Sequence, residues 1–362
     1  MTPPPSGAIR AANPKGHDEV KLSNTTRITG ALALTASAAL LLTACTGGGA
    51  ATTDTAGGLA DGLGSRAENR NAYFFTYYNP ASDVFWAQIE KGASDAAELG
   101  GLDLTSQTAD GDPDKMVDLV NTAIATDPSL ILMPFNEGEK WVQVACDAHD
   151  AGITVIAYNV PAPESASDCV TGFVGQDFRE VGTIVGEALI EQVGLEDGDE
   201  VLFAAEEPDQ NYAIQRGGGV QDAIDAAGID VQGEYLRTTG TDADALDAMT
   251  SWLTAHPDAK AVVPLGGTPH RNAVAAEDAA GVEIPIIGFD TSTQVVDGIK
   301  SGRILATADQ QGYVQGFQSA MQGVLNLDFG LSPANINSGG LGLITKDNVD
   351  LLEAKDLQGI RY

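Results

Sequence analysis

The chain is 362 residues long and carries 51 Asp and Glu against 19 Lys and Arg, a formal net charge of −32. A field of that sign repels nucleic acid and anionic lipid headgroups, so nucleic-acid binding is excluded. The length allows two domains of roughly 150 residues, each with its own core, and four scattered histidines (His17, His149, His256, His270) without a Cys-x-x-Cys motif leave no zinc site and no cofactor to expect.

Residues 28–42 form an uncharged run built mostly of Ala, Leu and Thr, preceded by Lys21 and Arg27 and closed by Leu42-Thr43-Ala44-Cys45. Basic flank, apolar run and small-residue end stand in the order of a signal peptide. About fifteen apolar residues are too few to span a bilayer of ~30 Å as a helix. The Leu-Thr-Ala-Cys ending resembles a bacterial lipoprotein signal, which implies that residues 1–44 are removed and that Cys45 becomes the lipidated first residue. The expectation is a chain tethered by lipid to the outer face of the bacterial cell membrane, with an ordinary secretory signal as the alternative. Residues 1–19 are Pro-rich and include Asp18 and Glu19, so a start at Val20 is also open. Residues 45–70 hold Gly, Ala, Thr and Asp with only Leu59 and Leu63 as large apolar residues, and read as a flexible linker.

Beyond residue 70 the pattern alternates. Tyr73-Phe74-Phe75-Thr76-Tyr77-Tyr78 is an aromatic strand signal. Phe85, Ile89, Ala93 and Ala96 then recur at helical spacing until Gly100-Gly101 stops the helix. A short strand is predicted over 102–104. Asp112-Pro113 is an N-cap with proline at the first helical position, opening a helix with Met116, Val120 and Ala123 inward. Further apolar strand runs fall at 130–133, 154–157, 201–205, 261–265, 284–288 and 304–306, separated by amphipathic stretches that end near Gly152, Gly228, Gly281 and Gly302. Continuous apolar strands between helices mean parallel sheets covered on both faces. Some ten strand–helix units exceed one small sheet, so the class is α/β, with two doubly wound parallel-sheet lobes.

Ligands of open parallel sheets bind beyond the carboxyl ends of the strands. The residues following the strands here are Asn79 and Asp83, Asn136 and Glu137, Asn159, the run from Glu206 to Asn211, Gly266-Gly267-Thr268, Asp290, and Asp309-Gln310. Planar amides and carboxylates each engage two neighbouring hydroxyls, which suits a sugar or polyol. Phe85 and Trp86 offer aromatic faces to a sugar ring. Phe85 lies on the inward stripe of its helix and Trp86 off it, which makes Trp86 the better ligand candidate. Cys146 and Cys169 are left as a pair once Cys45 takes lipid. A disulfide between them is expected, two separately buried thiols being the alternative.

The chain resembles the type I periplasmic sugar-binding proteins, the ribose- and inositol-binding group that serves ABC importers. The resemblance rests on Phe85-Trp86-Ala87-x-Ile89-x-x-Gly92-Ala93-x-x-Ala96-Ala97-x-x-Gly100, on Ile131-Leu132-Met133-Pro134, and on Gly152-Ile153-Thr154-Val155-Ile156. It continues through Gly288-Phe289-Asp290, Gly298-Ile299-Lys300-Ser301-Gly302, and Asp309-Gln310-Gln311-Gly312-Tyr313-Val314-Gln315-Gly316. It implies the type I periplasmic binding protein fold, with 71–175 plus 310–336 as one lobe and 176–309 plus 337–362 as the other. Three hinge crossovers are implied near 174–176, 308–310 and 335–340. Carried over by position, the ligand-binding set is Asp83, Phe85, Trp86, Asn136, Asn159, Asn211, Arg216, Asp290 and Gln310. The family's acidic residue after the fourth strand is here Asn159, and its following Arg is Val160. The Arg that opens the second lobe's first helix aligns near Ile214, with Arg216 two residues on, and an expected Asn becomes Gly266. These departures point away from ribose towards a different or bulkier polyol.

The resemblance thus implies a monomeric extracytoplasmic lipoprotein delivering a polyhydroxylated ligand to an ABC permease. The alternative is a receptor of the same fold feeding a membrane sensor kinase. An enzyme is not expected, because no Gly-x-Gly-x-x-Gly follows the first strand and no Gly-x-Ser-x-Gly elbow is present. Arg216-Gly217-Gly218-Gly219 lies inside a helical pattern and lacks the Lys-Ser/Thr ending of a phosphate loop.

Overall fold

The computed structural model describes residues 62–339, 342–353 and 360. The expected signal segment, Cys45 and the linker up to residue 61 lie outside the described residues, as do 340, 341, 354–359, 361 and 362. The first part of the chain runs β1 (Asn71–Thr76), α1 (Val84–Gly100), β2 (Asp103–Thr108), α2 (Pro113–Ile124), β3 (Leu130–Met133), α3 (Val142–Asp150), β4 (Thr154–Tyr158) and β5 (Gly172–Gly175). Next come α4 (Phe178–Val193), β6 (Glu200–Ala205), α5 (Asn211–Ala226), β7 (Gln232–Arg237), α6 (Asp242–Ala255) and β8 (Ala261–Pro264). They are followed by α7 (Gly267–Ala280), β9 (Ile286–Phe289), α8 (Thr293–Ser301), β10 (Ile304–Ala308), α9 (Gly312–Phe329), β11 (Ile336–Asn337) and β12 (Leu343–Thr345). No helix among the described residues is long and apolar enough to cross a membrane.

Two six-stranded sheets result, ordered β11-β5-β4-β3-β1-β2 and β12-β10-β9-β8-β6-β7. The orders correspond strand for strand, so the two lobes repeat one topology. All pairings are parallel except β12, which runs antiparallel to β10. The central strands β3, β8 and β9 (LILM, AVVP, IIGF) are buried along their whole length, because helices cover both sheet faces. The edge strands β2 and β7 (DLTSQT, QGEYLR) are polar and largely exposed. That is why β7 carries no apolar signal in the sequence and why β2 extends beyond the short run expected for it. β5, with two glycines in four residues, escapes sequence reading for a similar reason.

Local signals hold where the sequence is emphatic. Asp112 caps α2 through its side chain with Pro113 at the first helical position, and Met116, Val120 and Ala123 are the buried face. Asp83 caps α1, and Gly101 closes that helix in the left-handed conformation, at φ 63°. Cys146 in α3 is bonded to Cys169 with Cα atoms 4.8 Å apart, which ties α3 to the connection between β4 and β5.

Each lobe contains a helix pair in especially close contact, α1 with α9 and α4 with α5, and glycines make both contacts possible. A β-carbon on Gly92 would overlap the carbonyl oxygen of Tyr313, and one on Gly316 the carbonyl oxygen of Ile89. In the second lobe a β-carbon on Gly182 would meet the carbonyl of Arg216, and one on Gly219 the carbonyl of Arg179. Within the run Gly217-Gly218-Gly219, only Gly219 thus sits at the helix crossing, whereas Gly217 faces the Tyr235 hydroxyl of β7 and Gly218 the Arg179 guanidinium. Gly316→Ala should force α1 and α9 apart and cost about 1–3 kcal/mol. Thermal unfolding checks this: an unchanged Tm would mean that the pair has room to spare.

Candidate functional site

The carboxyl ends of both sheets face a common cleft of about 1180 Å³. Asp83, Phe85, Trp86, Asn136, Asn159, Arg216, Asp290 and Gln310 all line it. Asn211 does not: it is the first residue of α5, and the neighbouring Tyr212 lines the cleft instead.

The floor is a chain of polar contacts that passes from one lobe to the other. Asn159 Nδ2 donates to Gln310 Oε1 and to Gln315 Oε1, both at 3.2 Å. Gln310 Nε2 in turn donates to Asp290 Oδ1. The other oxygen of Asp290 faces Arg216 Nη1 at 3.5 Å. Arg216 is 2% exposed. Its Nη1 donates to the Leu265 carbonyl at 2.5 Å, and its guanidinium lies over Phe289, Phe178 and Tyr212 at 4.7, 4.8 and 5.6 Å.

Asn159 and Asp290 occupy equivalent places, one after β4 and the other after β9. Both adopt left-handed backbone, φ 61° and 73°, which short polar side chains tolerate better than most residues. Both are locked by their own N–H groups, Asn159 to the Val174 carbonyl at 2.9 Å and Asp290 to the Ala308 carbonyl at 2.8 Å. Their side chains therefore point into the cleft from fixed positions. The connecting segments are laced together below them. Ser338 donates from its N–H to the Gly175 carbonyl at 2.9 Å and from Oγ to the Gln310 carbonyl at 3.2 Å, and Gln176 Nε2 reaches the Asp309 carbonyl at 3.4 Å.

The walls are aromatic on one side and charged on the other. Contrary to its place off the apolar stripe, Trp86 is the more deeply buried of the pair, 4% exposed, while Phe85 is half-buried. Trp86 meets Tyr158, Tyr78 and Phe85 edge-on at 6.1–6.2 Å between ring centroids. A cluster of aromatic rings around α1's first turn outweighs the helical period there. Opposite, Glu206 accepts from the Tyr212 hydroxyl and from the Thr268 N–H, both at 2.7 Å. Gly266 makes room for it, since a β-carbon there would overlap the Glu206 carboxylate. Arg271 is engaged by Asp242, Nε to Oδ1 at 2.6 Å. Beside the cleft, Glu137 accepts from Tyr77 at 2.8 Å and from Gln210 at 3.0 Å, a direct bond between lobes.

The ligand set read from the sequence omits Tyr78, Tyr212, Thr268 and Arg271, although Thr268 stands among the residues that follow the strands. Tyr78 lies two residues beyond β1, Tyr212 follows Asn211 by one residue, and Thr268 and Arg271 lie in the first turns of α7. A strand-end rule extended by one helical turn reaches Tyr212 and Arg271, while Tyr78 and Thr268 already stand at strand ends.

His270, fully buried, braces the site from behind. Its Nδ1 lies 2.7 Å from the Phe289 carbonyl, the peptide that leads into Asp290. Burial is the main force that lowers its pKa from the ordinary 6.5 to about 4, opposed by the Phe289 carbonyl and the Asp290 charge. The ring is therefore neutral near pH 7 and donates from Nδ1 to that carbonyl. The unfolded chain takes up a proton as pH falls through 6.5, whereas the folded protein resists until about pH 4, so stability is lost across that window. The full effect is about 3 kcal/mol. Denaturant unfolding at pH 7.5 and 4.5 should show a smaller acid loss in His270→Asn, which keeps an N–H donor, than in the native protein. Equal losses would mean that His270 protonates as freely when folded as when unfolded.

A two-lobed frame with polar, charged and aromatic groups converging on one deep cleft defines a binding protein. Residues 73–330 match the family model described as "Periplasmic binding protein domain", and the chain belongs to that family, one of binding proteins rather than enzymes. Among relatives, it is 29% identical to the D-ribose/D-allose-binding protein of Pseudomonas aeruginosa over 261 residues, 70% of this chain and 78% of that one. It is 28% identical to the D-apiose import binding protein of Paraburkholderia graminis over 233 residues, 64% of this chain and 73% of that one. A similar solved structure is a carbohydrate transporter from Acidothermus cellulolyticus in complex with myo-inositol. That comparison has a TM-score of 0.72 and 24% identity, and covers 81% of this chain and all of that one.

Proposed function

We propose that this protein is the extracytoplasmic solute-binding lipoprotein of an ABC importer, capturing a sugar or polyol between its lobes and presenting it to the permease. The observation that carries this reading is the cross-lobe chain Asn159–Gln310–Asp290–Arg216 on the cleft floor. Amides and carboxylates held rigidly along the cleft match the paired hydroxyls of a polyol. Phe85 and Trp86 supply the aromatic wall for a ring's apolar face. Ligand bridging the two lobes favours their closure, and closure about the laced connecting segments is the form the permease would recognise. The names of the relatives, with ribose, allose and apiose in them, support a sugar. The cleft of about 1180 Å³ exceeds the usual ~300–1,000 Å³ of small-ligand pockets and supports a bulkier one than ribose.

A thermal-shift screen against pentoses, hexoses and inositols tests the reading, since a ligand at ~100 times its Kd stabilises by ~2.7 kcal/mol. For the ligand found, Asp290→Ala should weaken binding about ten- to a hundredfold by calorimetry, through loss of a charged acceptor. An unchanged Kd would leave Asp290 a structural brace for Arg216 alone.

Cys45 supports a lipid anchor by the Leu-Thr-Ala-Cys ending of the apolar run before it. Labelled palmitate fed to the producing cells should mark the native chain and fail to mark Cys45→Ser. Equal labelling of both would remove the anchor from this position.

A further inference from the structure

Five carboxylates line the cleft against two arginines, and they are not compensated equally. Asp290 faces Arg216 at 3.5 Å, Asp242 faces Arg271 at 2.6 Å, and Asp110 faces Lys115 outside the cleft at 2.5 Å. Both cleft arginines are thereby engaged. Asp83 and Glu206 remain, one from each lobe, and among the described residues neither forms an ion pair. Asp83 accepts one backbone N–H, that of Trp86 at 3.1 Å. Glu206 accepts from a phenol and from an N–H in the first turn of α7. The positive end of that helix stabilises it in part, but no side-chain cation meets it.

The two carboxylates are close enough to sense each other. The Asp83 carboxyl is held above its ordinary range chiefly by burial, with the charges of Glu206 and Asp290 reinforcing the shift and Trp86 N–H and Arg271 opposing it. Tyr78, lining the same wall, is pushed upward by burial and then by Glu206, Glu137 and Asp83. The Glu206 and Asp290 charges act on Asp83 in a cleft where five carboxylates face two arginines that are already engaged, so this wall is negative and attracts a cation. Where the resemblance leads one to expect an Asn, Gly266 instead leaves space that Glu206 fills, so the charge replaces an amide rather than adding to one.

We infer that the ligand carries a protonated amine, as in an amino sugar or aminocyclitol, seated between Asp83 and Glu206. The inference rests on the sugar-binding reading above and narrows it. A charge-assisted hydrogen bond to each carboxylate satisfies both lobes at once, so the amine also favours closure. The same field excludes phosphorylated sugars and uronic acids.

Calorimetry at pH 6.5 tests this with matched pairs: D-glucosamine against D-glucose, D-galactosamine against D-galactose, and scyllo-inosamine against scyllo-inositol. At least one amine should bind about tenfold or more tighter than its hydroxyl counterpart. Asp83→Asn and Glu206→Gln, which keep shape and remove charge, should each shrink that preference by several-fold. Neutral sugars binding as tightly as the amines would overturn the inference and leave the sugar-binding reading standing. A preference that survives both substitutions would overturn the assignment to these two carboxylates. Failure of every compound in both series would take the sugar-binding reading down with it.

Discussion

A guanidinium buried to 2% exposure must replace most of its hydration, and Arg216 does so with one carboxylate, one carbonyl and three aromatic faces, its buried Nε left without a hydrogen-bond acceptor among the described residues. Burying an ion pair costs desolvation, and breaking one side of it costs more, because the remaining charge is left alone. Asp290 is therefore held where Arg216 needs it, in left-handed backbone and braced by His270 behind the Phe289 peptide. From that fixed carboxylate the contacts run outward to Gln310 and Asn159, and so into the other lobe. The floor of the cleft is a consequence of keeping one buried charge satisfied.

The two lobes meet at this floor as near repeats. Equivalent strand order places Asn159 and Asp290 at equivalent ends, and each is locked by a backbone bond to the next strand. Equivalent helix pairs, α1 with α9 and α4 with α5, approach closely enough that glycine is required at the crossing. The repeat breaks where chemistry differs: an amide after β4 and a carboxylate after β9. The buried cation belongs to the second lobe, so the acceptor that neutralises it does too.

The opposite wall shows the same economy with the sign reversed. Gly266 gives up a side chain, Glu206 moves into the space, and the first turn of α7 supplies an N–H to hold it. Together with Asp83 at the start of α1, this leaves the cleft more negative than its arginines can offset. Glu137, bonded from both lobes, extends that character to the cleft's rim.

Local patterns along the chain by themselves determined the class of fold. Central strands are apolar throughout because both faces are covered, and helix ends are marked by Asp112 and Gly101, whose side chain or backbone freedom acts within a few residues. Strand ends rich in Asn, Asp and Gln were equally legible, and eight of the nine ligand residues implied by the resemblance line the cleft. The edge strand β7 and the short β5 were not, since an exposed or glycine-rich strand carries no periodic signal. Nor was the burial of Trp86, which depends on Tyr78 in the loop before α1 and on Tyr158 at the end of β4. Only the tertiary structure decided that Tyr212 rather than Asn211 faces the cleft, that Gly266 makes room for Glu206, and that Arg216 spends its charge on Asp290. Each of those depends on a partner far away in the chain, and a contact made by folding leaves no spacing for a sequence to display.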